Sequence, residues 1–385
     1  MTTMIPPSYK ISAGQQVDVG VGCLARLPEW LQSVGSCRPL LIIDSFFAYH
    51  ETGKAIIRQI HAEAELHVIE APQGEPKMAS LEDMLITARS VSCDAVIGIG
   101  GGSVLDSAKI IGICLGADKP VAHYEMVKNP LPTHTVPRAM IPTTAGTGSE
   151  ASSTNILALA NGQKGWVWGP ETKPDMVFLD AELLLSLPHN LTIWTGMDAI
   201  IHAFESAVNK FTHAGAQFYA HHALHLAATA LPRCVDDSND AEARQDMLLA
   251  SYYAGRSLDM CSASLAHWMS HAIAGITPVP HGLATALSFE ICLPRLLVAN
   301  PSAGEAAARA FGADSAVALP DYLTQFFARI GLERKLPDNF SMVTADDIFI
   351  ALQTPETESI RLSCPVYPDD TLARRYAHAL AALCQ

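Results

Sequence analysis

The sequence predicts an α/β domain over residues 1–185, followed by an all-helical domain over residues 186–385. In the first half, short β-rich runs alternate with longer helix-like segments, which is typical of a parallel sheet covered by helices. In the second half, buried or amphipathic helices follow one another, broken by Pro and Gly. Because no repeat or flexible linker separates the halves, we expect the two domains to pack closely.

Four runs carry the predicted strands. In chain order they are PLLIID (39–44), ELHVIEA (65–71), DAVIGIG (94–100) and DMVFLD (175–180). The third run is apolar without alternation, as expected of a parallel strand covered on both faces. The change to helical patterning follows Leu187 and Pro188, which places the domain boundary near residue 185.

The composition indicates an enzyme-sized chain with large buried cores, since 49% of its 385 residues are hydrophobic and only 17% are charged. A net charge of −14 would repel phosphate backbones and anionic lipid, so we expect neither nucleic acid nor a membrane as partner. Nine cysteines without a CxxC pair, and an N-terminus without a secretory pattern, favour a cytoplasmic protein. Two stretches that contain no Asp, Glu, Lys or Arg, 211–232 and 260–289, are predicted to be buried helices.

A glycine-rich segment, GIGGGSVLDSAK (98–109), follows a predicted strand and opens a predicted helix. Its glycines let the backbone approach an anionic ligand, and the amides at the helix N-terminus can bind a diphosphate. The order Gly98-x-Gly100-x-x-Ser103 lacks the last glycine of the usual dinucleotide fingerprint, and a simple tight turn is the alternative.

A second polar loop, PTTAGTGSEAS (142–152), offers hydroxyls and free amides for phosphate, ribose or carboxamide groups. Together in one α/β domain, the two loops indicate a dinucleotide site more strongly than either loop alone. Asp44 ends the run PLLIID, where its carboxylate can accept from a ribose diol and repel a 2′-phosphate. This position favours NAD over NADP, although such an Asp also serves as a helix N-cap.

Metal-capable side chains recur at helical spacing in the second half. Asp198 and His202 stand four residues apart, as do His267 and His271, so each pair would share one helix face. His281 would come from the turn after the second helix, where prolines and a glycine end the periodic pattern. Two such faces can enclose one ion, and the cluster therefore predicts a metal site.

Fifteen histidines will also form pairs by chance. His221 and His225 stand four residues apart, but no nearby carboxylate complements them. A lone pair at this spacing is usually a packed core pair, so we exclude these two from the predicted site.

Five segments, taken in order, resemble the group III, iron-containing alcohol dehydrogenase family: GGGSVLDSAK, PTTAGTGSE, PDMVFLD, GMDAIIHAFES and HWMSHAIAGITPVPHG. The resemblance implies a Rossmann-like NAD(P) domain and a helical metal-binding domain, in the architecture shared with dehydroquinate synthase. The metal ligands that it implies are Asp198, His202, His267 and His281. It implies that His271 is a further, catalytic histidine near the nicotinamide.

The resemblance also implies cofactor contacts in the α/β domain. Those in the diphosphate loop are Gly100, Gly101, Gly102, Ser103 and Asp106. Those in and after the hydroxyl-rich loop are Thr143, Thr144, Thr147, Ser149 and Lys164. Asp44 matches the position whose acidity accompanies NAD preference in the family.

The implied reaction is hydride transfer between C4 of a nicotinamide and a small alcohol or aldehyde. One carboxylate and three imidazoles suit Fe²⁺ or Zn²⁺ acting as a Lewis acid. His271, if neutral, would relay the alcohol proton or orient the cofactor. The family usually forms dimers or larger assemblies, so we expect a homo-oligomer.

Several alternatives share this architecture. A glycerol-dehydrogenase-like enzyme, a maleylacetate-reductase-like enzyme and a dehydroquinate-synthase-like lyase fit the ligand pattern less well. A non-catalytic NAD-binding sensor or assembly protein would keep the sites without turnover. The segment around Leu258, Asp259 and Met260 departs from the family pattern, so no relative's substrate is carried over.

Overall fold

A computed structural model of the chain describes residues 9, 11 and 14–384. The strands are β1 (Gln16–Val19), β2 (Pro39–Asp44), β3 (His67–Ala71), β4 (Ala95–Gly100), β5 (Arg138–Pro142), β6 (Thr154–Ala158), β7 (Lys164–Trp168) and β8 (Met176–Leu179). The helices among them are α1 (Leu27–Ser33), α2 (Ser45–Tyr49), α3 (Glu51–His61), α4 (Met78–Ser90) and α5 (Gly102–Cys114). Every strand of the described chain therefore lies in its first half.

Six strands form one parallel sheet in the order β1-β8-β5-β4-β2-β3. The predicted runs form β2, β3, β4 and β8, and β4 is buried along its whole length, as its apolar sequence predicts. The sequence analysis missed β1, β5 and the antiparallel pair of β6 and β7. The predicted fold class, an α/β domain before a helical one, is confirmed.

The sheet reverses its strand order between β2 and β4. From β2 the chain passes to β3 on one side, and then to β4 on the other side. Ile43 pairs with Ile99 in this parallel register, so Asp44 and Gly100 end neighbouring strands at the same edge. In open α/β sheets this reversal leaves a crevice at the carboxyl ends of the strands, where ligands bind.

The second half is helical throughout the described residues. Its helices are α6 (His189–Val208), α7 (Ala214–Asp236), α8 (Ala241–Cys261), α9 (Leu265–Ala274), α10 (His281–Ala299), α11 (Pro301–Phe311), α12 (Leu319–Ile330), α13 (Ala345–Leu352), α14 (Glu358–Ser363) and α15 (Asp370–Ala381). Helix α6 packs against α7, α8 and α10, and it is buried continuously from Gly196 to Val208. The predicted boundary near residue 185 falls between the end of β8 and the start of α6.

Helix α10 is the one helix of the described residues that is long and apolar enough to cross a membrane, with a mean hydropathy of 1.5. It packs against α6, α9, α11 and α15, and 61% of its most apolar 18-residue stretch is buried within the protein. These contacts identify α10 as a core helix. His281 is its first residue, which corrects the prediction that this histidine lies in the preceding turn.

Candidate active site

A cavity of about 570 Å³ lies between the α/β and helical halves. The predicted site residues that line it are Gly102, Ser103, Asp106, Thr147, Ser149, Lys164, Asp198, His202, His267, His271 and His281. The predicted residues that lie outside its lining are Asp44, Gly100, Gly101, Thr143 and Thr144. Tertiary folding therefore brings the predicted metal residues and part of the predicted cofactor loops into one cavity.

Three predicted metal residues form a compact group of donor atoms. Nitrogen or oxygen atoms of Asp198, His267 and His281 all lie within 4.8 Å of one another. Asp198 Oδ1 lies 3.4 Å from His267 Nε2 and 3.6 Å from His281 Nε2. Because α6, α9 and α10 each supply one of these side chains, the group exists only in the folded helical domain.

His202 lies beside this group rather than within it. Its ring stacks on the ring of His267, with centroids 4.3 Å apart, and its Nδ1 lies 3.8 Å from Asp198 Oδ2. The same Nδ1 lies 3.3 Å from the carbonyl oxygen of Gly146, in the hydroxyl-rich loop. When Nδ1 donates to that carbonyl, Nε2 carries the lone pair that a metal needs.

Unpartnered polar atoms show that these residues fit a divalent cation. Asp198 Oδ1, His267 Nε2 and His281 Nδ1 are buried and have no hydrogen-bond partner. Such atoms are rare in folded proteins, because leaving a buried polar atom unpaired costs about 1–3 kcal/mol. A carboxylate oxygen and imidazole nitrogens are also the donors that Fe²⁺ and Zn²⁺ accept.

The pKa values place three of the predicted ligands, Asp198, His202 and His281, in the protonation states that metal binding needs. Burial lowers the pKa of His202 and lowers that of His281 to about 3, so both rings are neutral at pH 7. Burial alone would raise the pKa of Asp198, but His202 and His281 outweigh it and hold that pKa below its ordinary range. An ionised carboxylate and neutral imidazoles are the binding forms.

His267 differs from its neighbours because two carboxylates flank it. Burial opposes its protonation, yet the adjacent carboxylates of Asp198 and Glu205 raise its pKa to about 9. The same pair of negative charges would attract a divalent cation into the position next to His267. The sequence analysis missed Glu205, although it follows Asp198 by seven residues and His202 by three on one helix, which places it on the ligand face.

A glycine allows α10 to approach α6 closely enough to bring His281 to Asp198. A Cβ atom on Gly282 would lie 1.9 Å from the backbone oxygen of Trp194, in α6. Any larger residue would push the first turn of α10 away from α6. The close approach of these two helices therefore depends on glycine at this position.

The N-terminus of α5 lies where the sequence predicts the diphosphate site. The helix begins at Gly102, and its N-cap residue Gly101 makes no side-chain capping bond, so the first amides stay available to an anion. A Cβ on Gly102 would lie 2.7 Å from the side chain of Thr147, which shows how closely the two predicted loops meet. Thr143 joins them further, because its amide donates to the Gly100 carbonyl at 3.0 Å.

Asp106 lines the cavity, but its carboxylate is already engaged within the protein. Its two oxygens accept from Ser149 Oγ at 2.5 Å and from the Ile156 amide at 2.9 Å. The Nζ atom of Lys109, which is fully buried, lies 3.3 Å from Asp106 Oδ1 and donates to the carbonyl of Ser149 in the hydroxyl-rich loop. Asp106 therefore holds α5, the hydroxyl-rich loop and β6 together, and its predicted contact with the cofactor stays a prediction.

The wall segment that departs from the family pattern lies in the cavity. Leu258, Asp259 and Met260, at the end of α8, all line it. The Asp259 carboxylate accepts from the Ser153 amide at 2.7 Å and lies 2.5 Å from Lys173 Nζ. Asp259 therefore ties the helical domain to the α/β domain across the cavity wall.

Asp44 lies at the strand reversal, one strand away from Gly100, and not in the cavity itself. Its carboxylate accepts from the Phe46 amide at 2.8 Å and caps α2, as the alternative interpretation of this residue proposes. Capping uses one oxygen, so the other stays available to a ribose. Both roles are compatible with this position.

We expect Asp44→Asn to raise the ratio of NADPH to NADH activity by roughly tenfold, since loss of about 1.4 kcal/mol of charge repulsion changes an equilibrium tenfold. Asn caps helices about as well as Asp, so α2 stays intact. Steady-state kinetics with both cofactors tests this. Asp83→Asn, on the exposed face of α4, removes the same charge from the same domain and should leave the ratio unchanged.

Glu150, in the hydroxyl-rich loop, is 1% exposed, and its Oε1 has no partner. Burial raises its pKa from 4.5 to about 7. The folded state therefore binds the Glu150 proton more tightly than the unfolded state does. This proton binding stabilises the fold by roughly 3 kcal/mol below pH 4.5, and the stabilisation is lost as the pH rises through 7.

We therefore expect Glu150→Gln to unfold at a higher temperature than the wild type at pH 8, and to show little difference at pH 4.5. Thermal unfolding across this range measures the gap. The control is Glu29→Gln, on an exposed position of α1, for which no such gap should open. A constant difference at all pH values would show that Glu150 does not titrate with folding.

Two family models match the chain, one in each half. Residues 15–181 match the model described as iron-containing alcohol dehydrogenase, and residues 192–348 match the C-terminal domain of the Fe-containing alcohol dehydrogenase family. The chain belongs to the iron-containing alcohol dehydrogenase family. This membership confirms the predicted enzyme class, an oxidoreductase acting on CH–OH groups, and the family's NAD and iron as the predicted cofactors.

Individual relatives agree with this assignment. The NAD-dependent methanol dehydrogenase of Bacillus methanolicus is 32% identical over 76% of this chain and 75% of its own length. The choline dehydrogenase of Bacillus subtilis is 30% identical over 77% of this chain and 75% of its own length. Among solved structures, sulfoacetaldehyde reductase from Bifidobacterium kashiwanohense, in complex with NAD+, shares the fold with a TM-score of 0.89, at 24% identity, covering 98% of this chain and 99% of its own.

Proposed function

We propose that this alcohol dehydrogenase interconverts a small uncharged alcohol and its aldehyde, with NAD and a divalent ion held by Asp198, His202, His267 and His281. The observation that carries the proposal is the compact group of metal-capable atoms on Asp198, His267 and His281, in a cavity that the N-terminus of α5 also lines. In that group Asp198 Oδ1 and His267 Nε2 are buried without a hydrogen-bond partner. Fe²⁺ is the ion that we propose for the working enzyme. Zn²⁺ would also occupy these ligands, and usually more tightly.

The roles of the chain's own residues follow from their places in the cavity. When bound, the ion supplies Lewis-acid polarisation of the substrate oxygen, and the nicotinamide gives or takes the hydride. The amides of Gly102 and Ser103 would bind the cofactor diphosphate, which leaves the nicotinamide at the helical side. Lys164 Nζ, which lies 3.0 Å from Glu75, borders that side of the cavity.

His271 is the group placed to move a proton. Burial, reinforced by the charge of Lys164, lowers the pKa of His271 well below its ordinary value, so the ring is neutral at pH 7. Its ring centroid lies 5.4 Å from that of His281 and 6.4 Å from that of His267. We propose that His271 accepts the alcohol proton during oxidation and returns it during reduction.

The charge of the cavity supports an uncharged substrate. The names of the three relatives span a neutral, a cationic and an anionic substrate, so family membership does not decide this property. Among the described residues that line the cavity, five carry carboxylates: Glu75, Asp106, Asp198, Asp259 and Glu356. Lys164 is the only lysine or arginine in that lining, and Glu75 already pairs with it. The charged group of an anionic carbonyl compound would therefore find no unpaired lysine or arginine in this lining.

Apolar side chains complete the cavity wall. Phe211, Leu258, Met260 and Ile360 line it and suit a short hydrocarbon chain. The substrate class is therefore a short aliphatic alcohol or aldehyde whose oxygen is its polar end.

The test is anaerobic reconstitution of metal-stripped protein with Fe²⁺ or Zn²⁺, followed by absorbance of NADH with a panel of aldehydes and keto acids. We expect metal-dependent oxidation of NADH by short neutral aldehydes, with kcat/KM at least tenfold lower for keto acids of the same length. Faster turnover of keto acids would reject the uncharged substrate. No turnover with any carbonyl, despite bound NADH and metal, would favour a non-catalytic NAD-binding role.

We propose further that the protein is cytoplasmic and forms a homodimer or larger homo-oligomer, with neither nucleic acid nor membrane as a partner. All nine cysteines are free thiols, and the net charge is −14.

Strand β1 ends the sheet at an edge where Val19 and Val21 are exposed. Exposed edges of this kind are suited to pairing with a second chain. Light scattering on the purified protein measures the oligomeric state.

A further inference from the structure

We infer that Glu205 is a positioning residue of the metal centre, which sets the ring of His267 and the start of α9 through one buried carboxylate. The inference rests on the proposed metal-dependent function. Glu205 lies on α6, the helix that also carries Asp198 and His202. It does not line the cavity, so it acts through His267 and not on the substrate.

Three donors converge on the Glu205 carboxylate, which is fully buried. Its Oε2 accepts from His267 Nδ1 at 2.7 Å and from the Ser264 amide at 2.9 Å. Its Oε1 accepts from the Ala266 amide at 2.6 Å. A buried negative charge is costly, and this set of charge-assisted hydrogen bonds offsets much of that cost.

The two backbone amides identify Glu205 as the cap of α9. Ser264 occupies the N-cap position of that helix but makes no capping bond with its own side chain. A carboxylate from α6 takes that place, at the end of the helix where the macrodipole favours negative charge. The first turn of α9, and with it His267, is thereby joined to the helix that carries Asp198.

The third bond decides which nitrogen of His267 is free. Because Nδ1 donates to Glu205, Nε2 is the atom left for a metal, and it lies 3.4 Å from Asp198 Oδ1. Nε2 has no hydrogen-bond partner in the protein. A carboxylate behind a metal-binding histidine fixes the ring and makes it a better ligand, and its loss typically costs 10- to 100-fold in metal affinity.

Glu205→Gln tests this role because the amide is nearly isosteric. Its single oxygen can satisfy one or two of the three donors, whereas its NH₂ group meets an N–H donor in place of an acceptor. We expect the dissociation constant for Zn²⁺, measured by chelator competition on the full-length protein, to rise about 10- to 100-fold. We also expect the absorption bands of the Co²⁺-loaded protein to change.

The matched control is Ser206→Ala, which alters the next buried polar residue of α6, whose Oγ has no partner. It should leave the Zn²⁺ dissociation constant unchanged. If Glu205→Gln lowers the thermal stability of the metal-stripped protein but leaves the Zn²⁺ constant and the Co²⁺ bands unchanged, Glu205 is only a helix cap and the inference is overturned.

Glu205→Asp keeps the charge but shortens the side chain. This variant tests the inference if Glu205→Gln fails to fold. Its Zn²⁺ constant should also rise, and an unchanged constant overturns the inference. The outcomes separate the inference from the proposed function. A wild type that binds Zn²⁺ no more tightly than His267→Ala rejects both, whereas tight binding by the wild type and the Glu205→Gln variant alike rejects the positioning role alone.

Discussion

His267→Ala is expected to lose the bound ion and to lower kcat/KM by about 10³-fold or more, since metal polarisation is worth several kcal/mol and each 1.36 kcal/mol is tenfold in rate. His267 lies at the centre of the donor group, 3.4 Å from Asp198 and stacked on His202. Its removal also leaves the Glu205 carboxylate without one of its three donors. Elemental analysis of the purified variant, together with NADH oxidation kinetics, measures both effects.

The matched control is His225→Ala. His225 belongs to the histidine pair excluded from the site and is exposed on α7, so this variant should keep its metal and its activity. A second readout is thermal stability, because a ligand present at 100 times its dissociation constant stabilises the fold by about 2.7 kcal/mol. Added Zn²⁺ should raise the unfolding temperature of the wild type and the His225 variant, but not that of His267→Ala. Full metal content in His267→Ala would contradict the proposed ligand set.

His271→Ala is expected to lower kcat by about 100-fold, the lower range for loss of a general acid–base group, while the metal content stays that of the wild type. His271 lines the cavity on α9, one helical turn after His267, but it is outside the compact group of donor atoms. Burial and Lys164 keep its pKa low, so at neutral pH the wild-type ring is free to accept a proton.

NADH binding separates the two proposed roles of His271. If the ring relays a proton, the variant should bind NADH with unchanged affinity, as measured by nicotinamide fluorescence, and lose only turnover. If the ring orients the cofactor, NADH affinity should fall together with kcat. Loss of metal would contradict both roles and would place His271 among the ligands.

The comparison of predicted and observed strands shows which elements local sequence can indicate. Strands β2, β4 and β8 are continuous apolar runs, as expected where helices cover both faces of a parallel sheet. Strand β1 reads QVDV and is only four residues long, at the edge of the sheet. Its pairing with β8 supplies what its own sequence does not indicate, so it could not be predicted from residue pattern.

The candidate site divides in a similar way. The i,i+4 spacing predicts that Asp198 and His202 share a helix face, because the repeat of an α-helix depends only on local backbone geometry. The resemblance to the family implies that the same two residues bind the metal. Neither indicates that Glu205, seven residues after Asp198, would meet His267, since that contact joins two helices far apart in the sequence.

The sequence by itself determined the fold class and the order of the two domains, because these follow from composition and local periodicity. Helical spacing also predicted the metal cluster, whereas the exact ligand set and the cofactor contacts are what the family resemblance implies and stay predictions. Only the tertiary structure decided that His281 begins a helix against α6, that Glu205 caps α9 and that Asp106 is engaged in holding β6. Each of these depends on contacts between segments distant in the chain. Such contacts form only when the packing of helices and sheet brings the segments together, and no local pattern records them.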